Sequence, residues 1–278
     1  MQFKNILLLL ALFFTVLGRS QEIKVMTYNI KYDNVNDTVN NWNDRKVAMV
    51  GLLNDKVPDF IGMQEVLLNQ LEYLDNALSG YEYIGVGRDD GKKKGEFSPI
   101  LYHTKNHKLL MSNTIWLSKT PDKISVGWDA AMERICTYGL FQNKTSQEKI
   151  WIFNTHFDHI GVKARKNSAK LILKKIKELN TERLPVILMG DLNLGPEEKP
   201  ILLIKKNMDD GTVISKTPMK GPKGTFNGFD LDDPMVRRID YIFTNALEVE
   251  SYEHIHERLP NGKHISDHLP VVGTFAKK

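Results

Sequence analysis

The stretch KIWIFNTHFDHIGVKARKNSAKLILKKIKELNTERLPVILMGD, residues 149–191, carries a strand, a helix and a second strand in succession. Lys149 to Thr155 is an apolar run rich in Ile, Trp and Phe and predicts a strand. Val162 to Leu179 sets Ala169, Ile172, Leu173, Ile176 and Leu179 at i, i+3, i+4, i+7 and i+10, one face of a helix. Lys163, Arg165, Lys166, Lys170, Lys174, Lys175 and Lys177 cover much of the remainder and read as a solvated face. Pro185 to Gly190 is a short apolar run, a buried strand that ends in Asp191.

The same unit occurs earlier in the chain. Glu22 to Ile30 predicts a strand with Ile23, Val25 and Thr27 on one face, ending Thr27-Tyr28-Asn29. Asp44 to Asn54 predicts a helix capped by Asn43 or Asp44, and PDFIGMQE (58–65) a strand that ends in Glu65. Asn29 precedes Glu65 by 36 residues and His156 precedes Asp191 by 35. Both second strands follow a proline expected to stop the preceding helix. Two such halves predict an α/β protein in which sheet packs on sheet with helices outside, a four-layer α/β/β/α sandwich. Leu67, Leu71, Leu74 and Leu78 predict a further helix. Tyr81 to Val86, Ser98 to His103, Arg134 to Asn143, Arg238 to Thr244 and Leu269 to Phe275 predict strands, with a charged turn over Arg88 to Gly95.

No low-complexity stretch or linker divides residues 21–278, so a single domain is expected. Residues 1–20 read differently: Lys4, then an apolar run from Ile6 to Leu17, then Gly18-Arg19-Ser20. That order predicts a signal peptide cleaved before Gln21, and a soluble, secreted or periplasmic monomer without a membrane anchor. The 278 residues are 41% hydrophobic and 26% charged, which excludes disordered, collagenous and polytopic membrane chains. The one cysteine, Cys136, excludes an internal disulfide and a cysteine-rich zinc site. Without Lys4 and Arg19 the basic residues number 36 against 34 acidic, a net charge of +2. That is far from the basic footprint of a protein built on many phosphate contacts.

Asn29, Glu65, His156, Asp158, Asp191, Asn193, Asp240, Asp267 and His268 all stand at or near the ends of apolar strands. Singly, most read as turn or capping residues; His159 reads as a cap for the helix after it. Jointly, carboxylates and amides without cysteine suit a hard cation, Mg²⁺ or Mn²⁺. Asp267-His268 sets a potential ligand next to an imidazole that titrates near neutrality, which Asp240 could orient. A hard metal with carboxylates and a base is the equipment of phosphoester hydrolysis.

TYNI (27–30), MQE (63–65), NTHFDH (154–159), GDLN (190–193), RIDYIF (238–243) and SDHLPV (266–271) stand in the order of the endonuclease/exonuclease/phosphatase superfamily, which the whole chain beyond residue 20 resembles. WNDRK (42–46) and EFSPI (96–100) bring it nearer to secreted bacterial members and, more loosely, to deadenylases. The resemblance implies a DNase-I-like fold and a metal-dependent phosphoesterase. It implies that Glu65 holds the metal with Asn29 and Asp267, and that Asp191, Asn193 and His156 sit at the scissile phosphate. It further implies His268 paired with Asp240 at that phosphate, and Arg134 adding charge nearby. Whether His268 or Asp191 takes the water's proton stays open. His156 stands where apurinic endonucleases place tyrosine, and matches the phosphatase, sphingomyelinase and deadenylase branches. The expected substrate is a small or single-stranded phosphoester. Alternatives are a secreted nuclease for DNA or RNA, and a binding module without catalysis. Tyr83, Trp116, Trp128 and Phe226 are candidates to stack on a base or sugar, Trp116 being better read as core.

Overall fold

The computed structural model describes residues 22–278, so the expected signal peptide lies outside the described residues. Strand β1 (Ile23–Asn29) leads through helix α1 (Trp42–Lys56) to β2 (Phe60–Gln64), and α2 (Leu68–Ala77) leads to β3 (Tyr81–Ile84) and β4 (Ile100–His103). The second half opens with β5 (His107–Trp116) and β6 (Ile135–Asn143). The unit first quoted follows, as β7 (Lys149–His156), α3 (Val162–Leu179) and β8 (Val186–Asp191). Then come α4 (Lys199–Lys205), β9 (Asp209–Asp210), α5 (Gly211–Ile214), β10 (Asp240–Asn245), β11 (Leu247–His254) and β12 (Val271–Lys277). The strands form two six-stranded sheets, ordered β11-β12-β1-β2-β4-β3 and β5-β6-β7-β8-β10-β9. As the repeat requires, β1 runs parallel to β2 and β7 parallel to β8.

Three apolar clusters make the four layers. Met26, Tyr28, Ile61 and Met63 pack outward against Trp42, Met49, Leu53, Leu71 and Leu74 of α1 and α2. Trp151, Phe153 and Leu188 pack outward against Ala169, Ile172 and Ile176 of α3 and Ile201 of α4. Between the sheets lie Val25, Phe60, Ile150, Ile152, Ile187, Met189, Ile242 and Phe275. Strand side chains alternate between faces. The residues of each strand in the middle cluster therefore fix the parity of those that follow: Asn29 after Val25, His156 after Ile152, Asp191 after Met189, and Asp240 before Ile242. All four belong to the face between the sheets, at one rim.

The sequence reading needs four local corrections. Helix α1 is capped by Asn41, whose side chain accepts the Asp44 N–H, rather than by Asn43 or Asp44. Pro185 does not stop α3: the helix ends at Leu179, as read, and the chain turns on Asn180, whose side chain bonds Leu184 at both its N–H and its C=O. The free N–H groups of α3 are taken by Asp129, from another loop, at Lys163 and Ala164. His159, read as the cap of that helix, instead contacts Arg134 Nη2 at 3.0 Å through Nδ1.

Candidate active site

Beneath the rim, a buried polar layer ties the two sheets together. Gln64 of β2 donates to Thr27 Oγ1 of β1 at 3.0 Å and to Asn154 Oδ1 of β7 at 2.7 Å. Asn154 in turn donates to the carbonyls of Met63 and Pro99, each at 2.8 Å. These bonds across the sheets hold the layer in a fixed arrangement, and the strand ends just above inherit it.

Asn29, wholly buried, is the hub of the site. Its Nδ2 donates to Glu65 Oε1 and Asp191 Oδ2, each at 3.0 Å, and lies 3.4 Å from His268 Nε2. One amide thus joins groups from both sheets. Asp191 is reached through Gly190 at φ +145°, where an added Cβ would stand 1.9 Å from the Thr155 carbonyl oxygen, so only glycine fits before it. Glu65 lies one residue past β2 with φ 60°, and its Oε2 accepts the Tyr32 N–H at 3.3 Å. His156 pairs with Asp191 across β7 and β8 and brings Nε2 to 3.4 Å from Asp191 Oδ2. Asn193 fixes both, through its N–H on Asp191 Oδ1 at 2.9 Å and its Nδ2 at 3.1 Å from His156 Nε2.

His268 meets Asp240 Oδ2 through Nδ1 at 2.9 Å, and its Nε2 lies 3.7 Å from Asp191 Oδ2. Thr225 donates its hydroxyl to the same Asp240 oxygen. Phe226 stands edge-on to the His268 ring at 5.0 Å, so of the four aromatic candidates it flanks the site. Trp116 is 7% exposed and belongs to the core, as read.

Burial and charge set the protonation of this cluster. Burial pushes the Asp191 carboxyl up to about 7, with nearby Asp240 adding to the rise and His268 opposing it. Burial pulls His268 down, but Asp240 and Asp191 outweigh it and lift the imidazole to about 10. Burial, reinforced by Arg134 and Arg88, holds His156 well below the usual imidazole range, so that ring is neutral. Near pH 7 the arrangement therefore contains a cationic His268 beside a carboxyl poised to gain or lose a proton.

Two groups of residues bear on a metal. Asp191, Asp240 and His268 present ligand atoms within 4.8 Å of one another. There, however, His268 Nδ1 is engaged by Asp240 and Asp191 by Asn29, a hydrogen-bonded chain rather than an open cage. Glu65 and Asp267 offer a better fit, because a cation already sits between them: Lys31 Nζ lies 3.4 Å from both Glu65 Oε2 and Asp267 Oδ2. Lys31, also at positive φ (58°), gives its N–H to Asn29 Oδ1 at 3.1 Å. Two carboxylates around a point charge, with the Asn29 amide oxygen on the backbone N–H of the same residue, are hard donors suited to Mg²⁺.

Arg134 and Asp158 join the site's edge. Asp158 accepts from the N–H groups of Ala131, Ile160 and Gly161, and Arg134 Nε lies 3.4 Å from it. Asp158 is thus a loop-fixing carboxylate that also steadies Arg134. Three contributors escape a reading by residue type: Lys31, Thr225 and above all Arg45. Arg45 is 1% exposed and gives its N–H groups to the carbonyls of Ile30, Lys31, Asn40 and Ile265. It clamps the chain after Asn29 to the chain before Asp267-His268. Its only advance signal was its place in the WNDRK stretch.

This fold and site define a phosphoester-hydrolase architecture. The chain belongs to the endonuclease/exonuclease/phosphatase family, whose model matches residues 26–268. An endonuclease/exonuclease/phosphatase from Bacteroides vulgatus is similar, with 37% identity and a TM-score of 0.88 over 93% of this chain and all of that one. A mannosyl-6-phosphatase of Bacteroides thetaiotaomicron has 36% identity and a TM-score of 0.87, covering 91% of this chain and 99% of that one. A probable RNA exonuclease of Saccharomyces cerevisiae is 29% identical over 72% of this chain and 42% of its own length. Members of the family hydrolyse phosphoesters and typically need a divalent metal. Among the described residues no helix is long and apolar enough to cross a membrane.

Proposed function

We propose that this chain is a divalent-metal-dependent phosphoesterase that hydrolyses a small phosphomonoester of the sugar-phosphate kind, by in-line attack of water on phosphorus. The observation that carries it is the single amide of Asn29 joining Glu65 to Asp191, with His268 alongside. Support for the substrate class comes from the similarity to the mannosyl-6-phosphatase over nearly the whole of both chains. It also comes from the modest charge of residues 21–278.

Glu65, Asn29 and Asp267 would hold the metal, which when bound neutralises charge on the phosphate oxygens. In this reading Asp191, lifted to about 7, takes the proton of the attacking water. His268, lifted to about 10, stays protonated and sets its positive charge beside the phosphate, with Asp240 as its fixed counter-charge. Asn193 and neutral His156 orient Asp191 and bind phosphate oxygens; Arg134 adds positive charge. The bond formed joins the water oxygen to phosphorus and the bond broken is that to the sugar oxygen; the water's proton goes to Asp191, and the sugar oxygen takes a proton from solvent and leaves as the alcohol. Export with cleavage before Gln21 belongs to the same proposal, and intact mass of secreted protein checks it.

The test is specific activity in Mg²⁺ on hexose 6-phosphates, phenyl phosphate, a chromogenic diester, single-stranded oligonucleotides and plasmid or abasic duplex. Hexose phosphates should rank first. Fastest turnover of duplex or RNA would replace this reading with a secreted nuclease.

A further inference from the structure

His156 separates two spaces. Its Nε2 meets Asn193 and Asp191, while the ring also walls a small recess with Arg88, Glu96, Ser98, Glu133 and Arg134. The recess is well built. Arg88 Nη1 donates to Glu96 Oε2 at 2.8 Å, and the Arg88 carbonyl accepts the Trp116 indole N–H at 2.8 Å. Arg134 is held at 3.4 Å from Asp158 and 3.0 Å from His159.

Within this ring of partners two buried nitrogens have none, Arg134 Nη1 and His156 Nδ1, and Arg88 Nε makes no hydrogen bond, its nearest charge being Asp89 Oδ1 at 3.7 Å. Arg134 and His156 are 5% and 6% exposed. Buried polar atoms in folded proteins are overwhelmingly bonded to something, so these nitrogens point to a ligand group. Two properties say which. The lining holds two guanidinium groups, two carboxylates, neutral His156 and Ser98, so it carries no net formal charge. A second phosphate would meet Glu96 and Glu133, whereas an uncharged group that both donates and accepts would meet partners of either kind. The free volume is about 10 Å³, room for about one hydroxyl-sized group and too little for a base or a second ring.

We propose that this recess is a specificity subsite that receives one hydroxyl of the substrate's sugar ring, on the far side of His156 from the phosphate. Arg88 and Glu133 are its new specificity-determining residues. The inference rests on the sugar-phosphate reading above and deepens it. A hydrogen bond to a charged partner that is lost with the hydroxyl changes kcat/KM by roughly 10- to 100-fold.

The experiment compares kcat/KM for a turned-over hexose 6-phosphate with its 2-, 3- and 4-deoxy analogues, in wild type and in Arg88→Gln and Glu133→Gln. Wild type should lose roughly 10- to 100-fold on one of the three analogues, and on that one alone. In both variants the parent should fall toward that analogue, closing the ratio to within about threefold. Glu133 is half-buried on a loop, so its variant keeps the test intact should Arg88→Gln fail to fold. Analogues all within threefold of the parent in wild type would overturn the subsite. So would variants that slow parent and analogue equally. Absence of turnover on every hexose phosphate, with activity elsewhere on the substrate panel, would instead overturn the substrate reading beneath it.

Discussion

Replacing Asp240 with asparagine isolates the electrostatic part of the proposed mechanism. The change keeps the side chain's shape and its contact with Thr225, but removes a wholly buried anion 2.9 Å from His268 Nδ1. Hydrogen bonds to charged groups contribute about 1.5–3 kcal/mol, which at about 1.4 kcal/mol per decade is a rate loss of roughly 10- to 150-fold. Asp240 is also the foremost group holding His268 protonated. Without it, the downward push of burial is opposed mainly by Asp191. His268 should then lose its proton at lower pH, and the loss of kcat should grow as pH rises through neutrality. The assay is kcat across pH 5.5–9 for both proteins, with the His268 ring followed by NMR over the same range. Mg²⁺ affinity should stay within about twofold, because Asp240 bonds to Thr225 and His268 rather than to Glu65 or Asp267. An Asp240→Asn enzyme with wild-type kcat, or a wild-type His268 already neutral at pH 7, would refute the reasoning.

Glu65→Gln removes one of the two carboxylates around Lys31 and should weaken Mg²⁺ binding at least tenfold, read by calorimetry on folded protein. Arg45→Met leaves four backbone carbonyls without their guanidinium and should cost about 2–4 kcal/mol in a denaturant titration; a loss under 0.5 kcal/mol would mean the clamp is idle. His254 is buried with its pKa held below the usual value, chiefly by burial. The unfolded chain therefore binds the extra proton first, so stability is present above about pH 6.5 and is lost as pH falls. His254→Gln should flatten the fall in Tm between pH 7 and 5, and an unchanged slope would assign the loss elsewhere.

The two strand–helix–strand units were legible because their strands are short apolar runs, α1 has cap residues at its start and α3 keeps a clean period. Helix α3 was read to the residue from its apolar stripe, and β1, β2, β7 and β8 within one or two residues. Strands β5 and β11 were missed for a shared reason. Both are edge strands, and each carries a register shift, between Leu109 and Met111 and between Val249 and Ser251. A bulge inserts one residue and reverses which face every later side chain takes, so neither run shows one alternating pattern. In β5 the shift leaves Leu110 and Met111 42% and 44% exposed. Helix α4, seven residues with a proline near its start, is too short to show a period.

For the site, the strand-end residues were legible because strand parity and chain order placed them together. Asn29, Glu65, His156, Asp191, Asn193, Asp240, Asp267 and His268 do converge on one rim, and Arg134 borders it. Arg45 was illegible because a charged residue on a helix reads as solvent-facing, and only tertiary structure shows the carbonyls that hold it. Lys31 and Thr225 lie in loops, where no period assigns a face. The spacing likewise gave no clue to the proposed acid–base division of labour, which depends on the burial of Asp191 and on the carboxylates around His268.

The central claim is tested most directly by the rate of phosphate release from a hexose 6-phosphate as Mg²⁺ is added back to metal-stripped protein. The account expects a rate near background without metal and a saturable rise on addition. Full turnover by the stripped protein in excess EDTA would contradict it.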